Sequence, residues 1–423
     1  MSAFLDKVRL IATDEGLRKK LFFVFLMLVI FRFGANIPIP AVDPARLATF
    51  LEQNQFLGLL NVFSGGGLSN LSVFMLGVSP YITATIIMQL LTMIFPRLKE
   101  MYHEEGSAGR QRFMMYSRFI TVPLAIIQAV GLLALLRSQG VIGQLTGFDY
   151  IFNIIIAVAG SMLLMWLGEL MSEYGIGNGV SLIIFAGIVA SLPATLAQLA
   201  VTFTVAQVPL LIGFLIVGVL IITGIIIITE AERPIPITYA KQVRGMKMYG
   251  GQSTYLPLRV NQAGVIPIIF ALSILLFPQI IINFFGAVDN ALVQSVVSFL
   301  TLIVNNLWFY GTLYFILVFI FTYFYTAVTF DPDAIATNLQ KNGAFIPGIR
   351  PGQPTSQYIA KILTRITLVG ATFLGAIAVL PFVMQALTNN PSLAIGGTSL
   401  LIVVSVVLDL VKKIDGQVSL REY

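Results

Sequence analysis

Ten apolar stretches, each close to the roughly 20 residues that a helix needs to cross the hydrocarbon of a bilayer, recur along the chain. They lie at about 21–38, 77–95, 115–136, 151–170, 179–199, 208–228, 262–282, 305–329, 363–385 and 394–411. Of the 423 residues, 57% are hydrophobic and only 10% are charged, whereas soluble domains carry about 25% charge. Because backbone polar groups in lipid must be paired within their own segment, we predict an all-α membrane protein with ten transmembrane helices.

The distribution of basic residues orients these helices. Twenty-two of the 25 Lys and Arg residues fall in the N-terminal tail, in alternate connections and in the C-terminal tail. The intervening connections hold only Arg46 and Arg137, and Arg32 lies within the first span. Since positive charge is retained on the cytoplasmic side, both termini and the basic loops are predicted to be cytoplasmic.

The ten spans divide into two sets of five after the fifth span. The predicted parts are a cytoplasmic tail over 1–20, an N-terminal half over 21–200, a C-terminal half over 201–411 and a cytoplasmic tail over 412–423. Because five is an odd number, the two halves would sit in the membrane with opposite orientation. Inverted repeats of this kind place the functional path at the interface of the halves.

Two long basic loops, at about 230–261 and 330–362, carry glycine and proline turn signals. Charge alone is explained by membrane topology. The segment GIRPGQP, however, holds Arg350 between turns fixed by glycine and proline, which topology does not need. A docking platform and a purely topological role both remain open for these loops.

Ionisable side chains are nearly absent from the middle of the spans. Glu169, Glu173, Glu230 and Asp409 all lie at or near cytoplasmic ends. Ion-coupled transporters keep charged groups along their path, so the pattern argues against a coupled pump.

Catalytic and metal chemistry also lack a sequence signal. The chain has no Cys and a single His, His103, without an H-E-x-x-H pair. The phosphate-binding pattern G-x-x-x-x-G-K-[ST] is absent as well. We therefore expect no catalytic residues, no metal and no cofactor, and we predict that the protein is not an enzyme.

The stretch FSGGGLSNLSVFMLGVSPYITATIIMQLL, from Phe63 to Leu91, joins a half-polar lead to the second span. The lead, at about 62–76, is too short and too rich in glycine to cross a membrane. It is predicted to fold back into the protein as a short helix over about 68–75, with a hinge at Gly77. Such re-entrant backbone is tolerated at membrane depth only where protein or water surrounds it.

This stretch resembles the plug and second span of the SecY/Sec61-alpha family of protein-conducting channels. Four further motifs resemble the same family in the same order, namely MWLGELMSEYGIGNGVSLIIFAGIVASLP, YGGQSTYLPLRVNQAGVIPIIFA, NGAFIPGIRPGQPT and GGTSLLIVVSVVLDL. The resemblance covers nearly the whole chain. It implies two inverted five-helix halves, an hourglass pore, a re-entrant plug helix and a lateral gate to lipid. It also implies passage of unfolded, signal-bearing polypeptides across the bacterial plasma membrane and lateral release of transmembrane segments into it.

The resemblance assigns a pore constriction to six branched aliphatic residues: Val78, Ile82, Val180, Ile184, Ile269 and Ile402. Two of the four helices concerned contribute a pair spaced four residues apart, hence on one helix face. Val265, one turn before Ile269, is a weaker candidate. Without the family motifs, such pairs are ordinary lipid-facing or core residues.

The resemblance assigns the plug to Gly65, Gly66, Gly67, Leu68, Ser69, Asn70, Leu71, Ser72, Val73, Phe74 and Met75. It places Thr83, Gln89 and Asn261 at or near the lateral gate, between spans 2–3 and 7–8. For Thr83 and Gln89, ordinary interhelical packing is the alternative.

The family's cytoplasmic docking arginine matches Arg350, with Lys241, Arg244 and Lys247 in the other loop. The implied partners are SecA, the ribosome, SecE-like and SecG-like subunits, signal peptides, nascent membrane proteins and the lipid bilayer. The chain departs from the family at Gln242 and Met246, where relatives often carry basic residues, and in YHEEGSAGRQR. These departures put the contribution of those segments in doubt. A secondary transporter of small solutes and a structural membrane scaffold remain as alternative functions.

Overall fold

The computed structural model describes residues 14–39, 64, 66–68, 71–138, 140–143, 146–202, 208–239, 242–244, 247–249, 253–285, 291–388 and 394–419. Within these ranges the chain is mainly helical, with two small antiparallel sheets. The N-terminal half forms α1 (Glu15–Gly34), α2 (Ser79–Ile94), α3 (Pro96–His103), α4 (Gly106–Ser138), α5 (Gly147–Tyr174) and α6 (Gly179–Thr202).

The C-terminal half alternates long helices with short strands. Its elements are α7 (Val208–Glu230), β1 (Glu232–Tyr239), β2 (Gln242–Arg244), β3 (Lys247–Tyr249), β4 (Ser253–Arg259), α8 (Ile266–Phe285), α9 (Ala291–Asn305), α10 (Leu307–Thr329), α11 (Pro332–Lys341), β5 (Ala344–Phe345), α12 (Gln353–Thr388) and α13 (Ala394–Ser419).

Each of the ten predicted spans overlaps a helix, and the eighth also includes the last residue of α9. Within the described ranges, four stretches are long and apolar enough to cross a membrane, namely Gly106–Arg137, Gly147–Tyr174, Leu307–Lys341 and Gln353–Met384. A fifth is the pair α2 and α3, which meet at a bend of 117°, where Phe95 is extended and Pro96 begins the next helix. The sequence did not predict α9, an apolar helix between the seventh and eighth spans.

The helices pack as two groups that meet along two edges. In the first group, α5 contacts α1, α4 and α6, and α2 packs on α4. In the second, α10 lies between α8 and α12, and α13 contacts α7 and α12. The groups touch where α8 meets α2 and α4, and again where α13 meets α6. One buried cluster of apolar side chains, contributed by both groups, fills the space between these edges.

A small antiparallel sheet joins the two long basic loops. The strands β1 and β4 pair from Glu232 opposite Arg259 to Thr238 opposite Ser253. On its other edge, β1 pairs with β5, with Tyr239 opposite Ala344. A separate apolar cluster lies between the sheet and the start of α12, formed by the buried residues Ile235, Leu258, Ile346, Ile359 and Ile366. The two loops, together with the start of α12, therefore form one packed unit, which we call the platform.

The predicted plug differs from the short helix expected over 68–75. Its described residues form consecutive turns, and Ser72 makes an antiparallel bridge with Pro38. Leu71 has a φ of 37°, which a right-handed helix does not allow. The Oγ of Ser72 accepts the amide of Phe74 at 3.2 Å, a local side-chain bond that competes with helix. At Gly77, the predicted hinge, φ is 59°, a conformation that glycine adopts without strain.

Candidate pore and docking sites

The six residues predicted for the constriction come together in the buried cluster between the two groups of helices. Val78 immediately precedes α2, and Ile82 lies in its first turn. Val180 and Ile184 lie in the first two turns of α6, Ile269 in α8 and Ile402 in α13. Five of the six are buried, and Val180 is partly buried against them. Val265, the weaker candidate, also packs against this cluster. Four helices that are distant in sequence thus bring branched aliphatic side chains to one place.

A cavity of about 990 Å³ lies beside this cluster. Four of the six residues border it, namely Ile82, Val180, Ile184 and Ile269. The remaining walls come from α2, the first part of α4, the end of α5, the starts of α6 and α8, and Tyr325 of α10. The aliphatic residues therefore form the boundary between open space and packed interior.

Charged and polar groups on the cavity wall form a network that the sequence did not predict. The Nε of Arg118 lies 2.9 Å from Oε1 of Glu169, which also accepts the hydroxyl of Tyr81 at 3.4 Å. The Glu169 side chain is only 16% exposed. Glu169 lies near the C-terminal end of α5, and Arg118 lies within α4, inside the third predicted span. The network joins α2, α4 and α5 on one side of the cavity.

The predicted gate residues lie at the contact of α2 and α4 with α8, or just before α8 begins. The Thr83 hydroxyl donates to the carbonyl of Ser79 in its own helix at 3.0 Å, so its proton is not directed across the contact. Gln89 lines the cavity. Among the described residues, the Oε1 of Gln89 and the buried Oδ1 of Asn261 have no hydrogen-bond partner.

The predicted plug residues divide between two apolar clusters. Leu68, Leu71 and Met75 are buried against the second half of α4 and the first half of α5. Phe74 instead belongs to the cluster that holds the constriction residues, where its ring lies 6.1 Å from that of Phe31. Gly66, Gly67, Ser72 and Val73 complete the described part of the segment, and Gly65, Ser69 and Asn70 lie outside the described residues.

Arg350 lies on an exposed turn of the platform. Gly348 and Gly352 on either side have φ values of 83° and 95°, which L side chains rarely adopt. The Thr355 hydroxyl donates to the Arg350 carbonyl at 2.8 Å, which fixes the backbone of the turn. Within the described ranges the guanidinium makes no ion pair. The geometry leaves a permanently charged fork free for a partner.

The other predicted docking residues are less completely defined. Arg244 and Lys247 are paired opposite each other in the antiparallel strands β2 and β3, and Lys241 lies outside the described residues.

Comparison with known proteins decides the family. The SecY family model matches residues 72–411. The chain belongs to the SecY family. The Protein translocase subunit SecY of Corynebacterium glutamicum is 41% identical, over 100% of this chain and 99% of that protein. The SecY of Streptomyces coelicolor is 42% identical over 96% of each chain. The family resemblance predicted from the sequence motifs is thus confirmed.

Solved SecY and Sec61 channels share the fold. A structure titled "The structure of a protein conducting channel" aligns with a TM-score of 0.63 at 19% identity, covering 94% of this chain and 92% of the other. "Sec61 in the Canine ribosome-channel complex from the endoplasmic reticulum" aligns with a TM-score of 0.58 at 18% identity, with the same coverage. The predicted all-α membrane fold is therefore that of the SecY channels.

Proposed function

We propose that this protein is the passive protein-conducting channel of a translocase. It passes unfolded, signal-bearing polypeptides across the bacterial plasma membrane and releases transmembrane segments laterally into it, with both termini in the cytoplasm. The observation that carries the proposal is the meeting of branched aliphatic side chains from four helices at the border of a large cavity. The names of the relatives, as translocase subunits, support the same conclusion.

The chemistry of this constriction suits a polypeptide substrate. Val180, Ile184 and Ile269 offer no groups that bind ions, and a narrow apolar constriction dewets. Such side chains make no directional bonds, so a passing chain displaces them without breaking hydrogen bonds. Phe74 of the proposed plug packs into the same apolar cluster.

The contact of α2 and α4 with α8 is the proposed lateral gate. Its polar groups are sparse, and each hydrogen bond contributes only about 1 kcal/mol net. The unpartnered oxygens of Gln89 and Asn261 are acceptors for groups that arrive when the gate opens. We propose this role for the two amides, whereas the Thr83 hydroxyl contributes through its own helix.

The platform is the proposed docking surface for SecA and the ribosome. The free guanidinium of Arg350 suits carboxylates and phosphates equally, which are the groups that acidic protein surfaces and ribosomal RNA present. Two structural neighbours carry titles that name ribosome complexes. The chain is proposed to act as a channel subunit with SecE-like and SecG-like partners and to receive its motive force from outside.

Reconstitution tests the proposed function. The protein, assembled with its partner subunits in planar bilayers, should show little conductance, and deletion of residues 64–75 should make the membrane leaky to ions. The same complexes in vesicles should import a signal-bearing precursor when SecA and ATP are added. A tight membrane after the deletion would contradict the plug. Failure of import by the intact complex would contradict the channel itself.

A further inference from the structure

The plug segment, defined here by described residues 66–68 and 71–77, touches α5 at Gly160. A Cβ built on Gly160 would lie 2.0 Å from the carbonyl oxygen of Val73 and 2.8 Å from its carbonyl carbon. Real Cβ atoms essentially never approach backbone so closely. Only a glycine therefore lets the plug backbone reach the surface of α5 at this point.

The next residue of α5 makes the second contact. Ser161 is fully buried, and its hydroxyl donates to the carbonyl of Gly77 at 3.0 Å. Serine and threonine in apolar helices commonly donate to the carbonyl one turn earlier, as Ser117 does to Phe113. Ser161 instead donates to a residue 84 positions away. Its hydroxyl therefore bonds the plug segment and not its own helix.

The opposite side of the segment is held by the chain that follows α1. The amide of Val73 donates to the carbonyl of Ile37 at 3.0 Å. A Cβ on Gly34 would lie 2.3 Å from Cε2 of Phe74. The amide of Val73 is thus hydrogen-bonded to Ile37 on one side of the segment, and its carbonyl packs against Gly160 on the other.

The same face of α5 continues from the plug to the constriction. Leu164 is buried among the constriction residues, and a Cβ on Gly168 would lie 2.9 Å from Cγ2 of Val180. Residues 160, 161, 164 and 168 are spaced by one, three and four positions and so lie on one side of the helix. One rigid helix therefore sets the distance between the plug and a member of the constriction.

From these contacts we infer that Gly160 and Ser161 are positioning residues that form a seat for the plug. Gly160 allows the plug backbone to approach α5 closely, and Ser161 donates the hydrogen bond. Together they hold the plug at a fixed distance from the constriction residues. The inference rests on the proposed function, because it takes residues 66–77 to be the movable seal. A seat built from one hydrogen bond and close packing holds the segment reversibly.

The first test measures ion conductance of reconstituted complexes carrying Ser161→Ala or Gly160→Ala. Loss of one net hydrogen bond should raise the open fraction about fivefold in Ser161→Ala, and Gly160→Ala should raise it further because the Val73 backbone must move. Matched controls are Ser117→Ala, a buried serine bonded within its own helix, and Gly218→Ala, where a Cβ meets nothing within 4 Å. The controls should conduct like the parent.

The second test uses a thiol, since the chain contains no cysteine. Met75→Cys places one thiol at a position that is 0% exposed. Adding Ser161→Ala should increase its rate of reaction with a membrane-impermeant maleimide about fivefold, whereas adding Ser117→Ala should not. This readout reports displacement of the plug and is independent of ion flow.

Deletion of residues 64–75 separates failure of the seat from failure of the proposed function. The deleted channel keeps Gly77, the acceptor of the Ser161 bond, but no plug remains for that bond to hold. Ser161→Ala should therefore add nothing to its conductance, because two changes that act through one element are not additive. If the deletion leaks while Ser161→Ala and its thiol reaction match the controls, the seat is refuted and the plug stands. If the deletion itself does not leak, the plug and the seat both fail. Should Gly160→Ala not assemble, the milder Ser161→Ala decides.

Discussion

The guanidinium of Arg118 and the carboxylate of Glu169 form an ion pair, with Nε 2.9 Å from Oε1, on the wall of the large cavity. Because the same carboxylate oxygen accepts the Tyr81 hydroxyl, three helices of the N-terminal group converge on one acceptor. The pair joins α4, a proposed gate helix, to α5, which carries the proposed plug seat, and Tyr81 adds the other gate helix, α2. These contacts tie the three helices to one another on one side of the cavity.

Replacing Glu169→Gln should destabilise the folded protein by about 1–2 kcal/mol, because the pair is partly shielded from water on the carboxylate side. The measurement is thermal unfolding of the purified complex in detergent. Glu173→Gln is the matched control, since Glu173 is exposed and lines the same cavity without an ion pair among the described residues. Equal unfolding temperatures for the two variants would show that the pair has no stabilising role.

A polar side chain in the constriction should weaken the seal against ions. Ile402 is 2% exposed within the aliphatic cluster, and in Ile402→Ser a hydroxyl would favour water where the parent dewets. We expect higher resting conductance with translocation retained. Val407→Ser, on an exposed part of the same helix, should behave like the parent. A resting conductance for Ile402→Ser no higher than that of the control would remove Ile402 from the constriction.

Reversing the exposed charge on the platform should impair docking and leave the fold intact. Arg350→Glu is expected to reduce SecA-dependent import at least tenfold, with normal expression and membrane insertion, since the carboxylate repels an acidic or phosphate partner. Arg350→Lys should restore only part of the activity because it lacks the planar fork. Arg365→Glu reverses an exposed charge on α12 and serves as control. Normal import by Arg350→Glu would exclude Arg350 as the docking residue.

The apolar cluster beneath the sheet should keep the platform ordered. Ile346→Ala removes a side chain that is 2% exposed and should cost about 2–4 kcal/mol locally. Limited trypsin digestion of the complex in vesicles should then cut faster after Lys341, which precedes Asn342. Tyr255→Ala, at a side chain 66% exposed on β4, should leave the digestion unchanged. Equal cleavage rates in both variants would mean that the platform does not depend on this cluster.

Hydropathy and family motifs could predict the helices and the meeting of the aliphatic residues. Lipid imposes both the length and the apolar character of a span, so the ten stretches are visible in the sequence alone. The spacing of Val78 and Ile82, and of Val180 and Ile184, fixes which residues share a helix face. That these four helices meet at one constriction could be predicted only from the order of the family motifs.

Contacts between distant residues of ordinary type could not be predicted. Arg118 and Glu169 are 51 positions apart. The sequence around each charge does not indicate which residue of opposite charge it pairs with. Gly160 resembles any small residue within a span, and its role depends on the plug backbone that lies against it. The turn conformation of the plug depends on Leu71 and on pairing with the chain after α1, which local helix propensity does not register.

The helix α12 begins at Gln353, immediately after the Arg350 turn. Up to Pro381 it contains no proline after its first turn, and at about 1.5 Å per residue this part is roughly 40 Å long. The hydrocarbon accounts for about 30 Å of such a length. Ile359 packs into the platform, while Leu374 and Ala378 are buried among the constriction residues. A displacement of the platform is therefore transmitted along one continuous helix to the residues around the constriction.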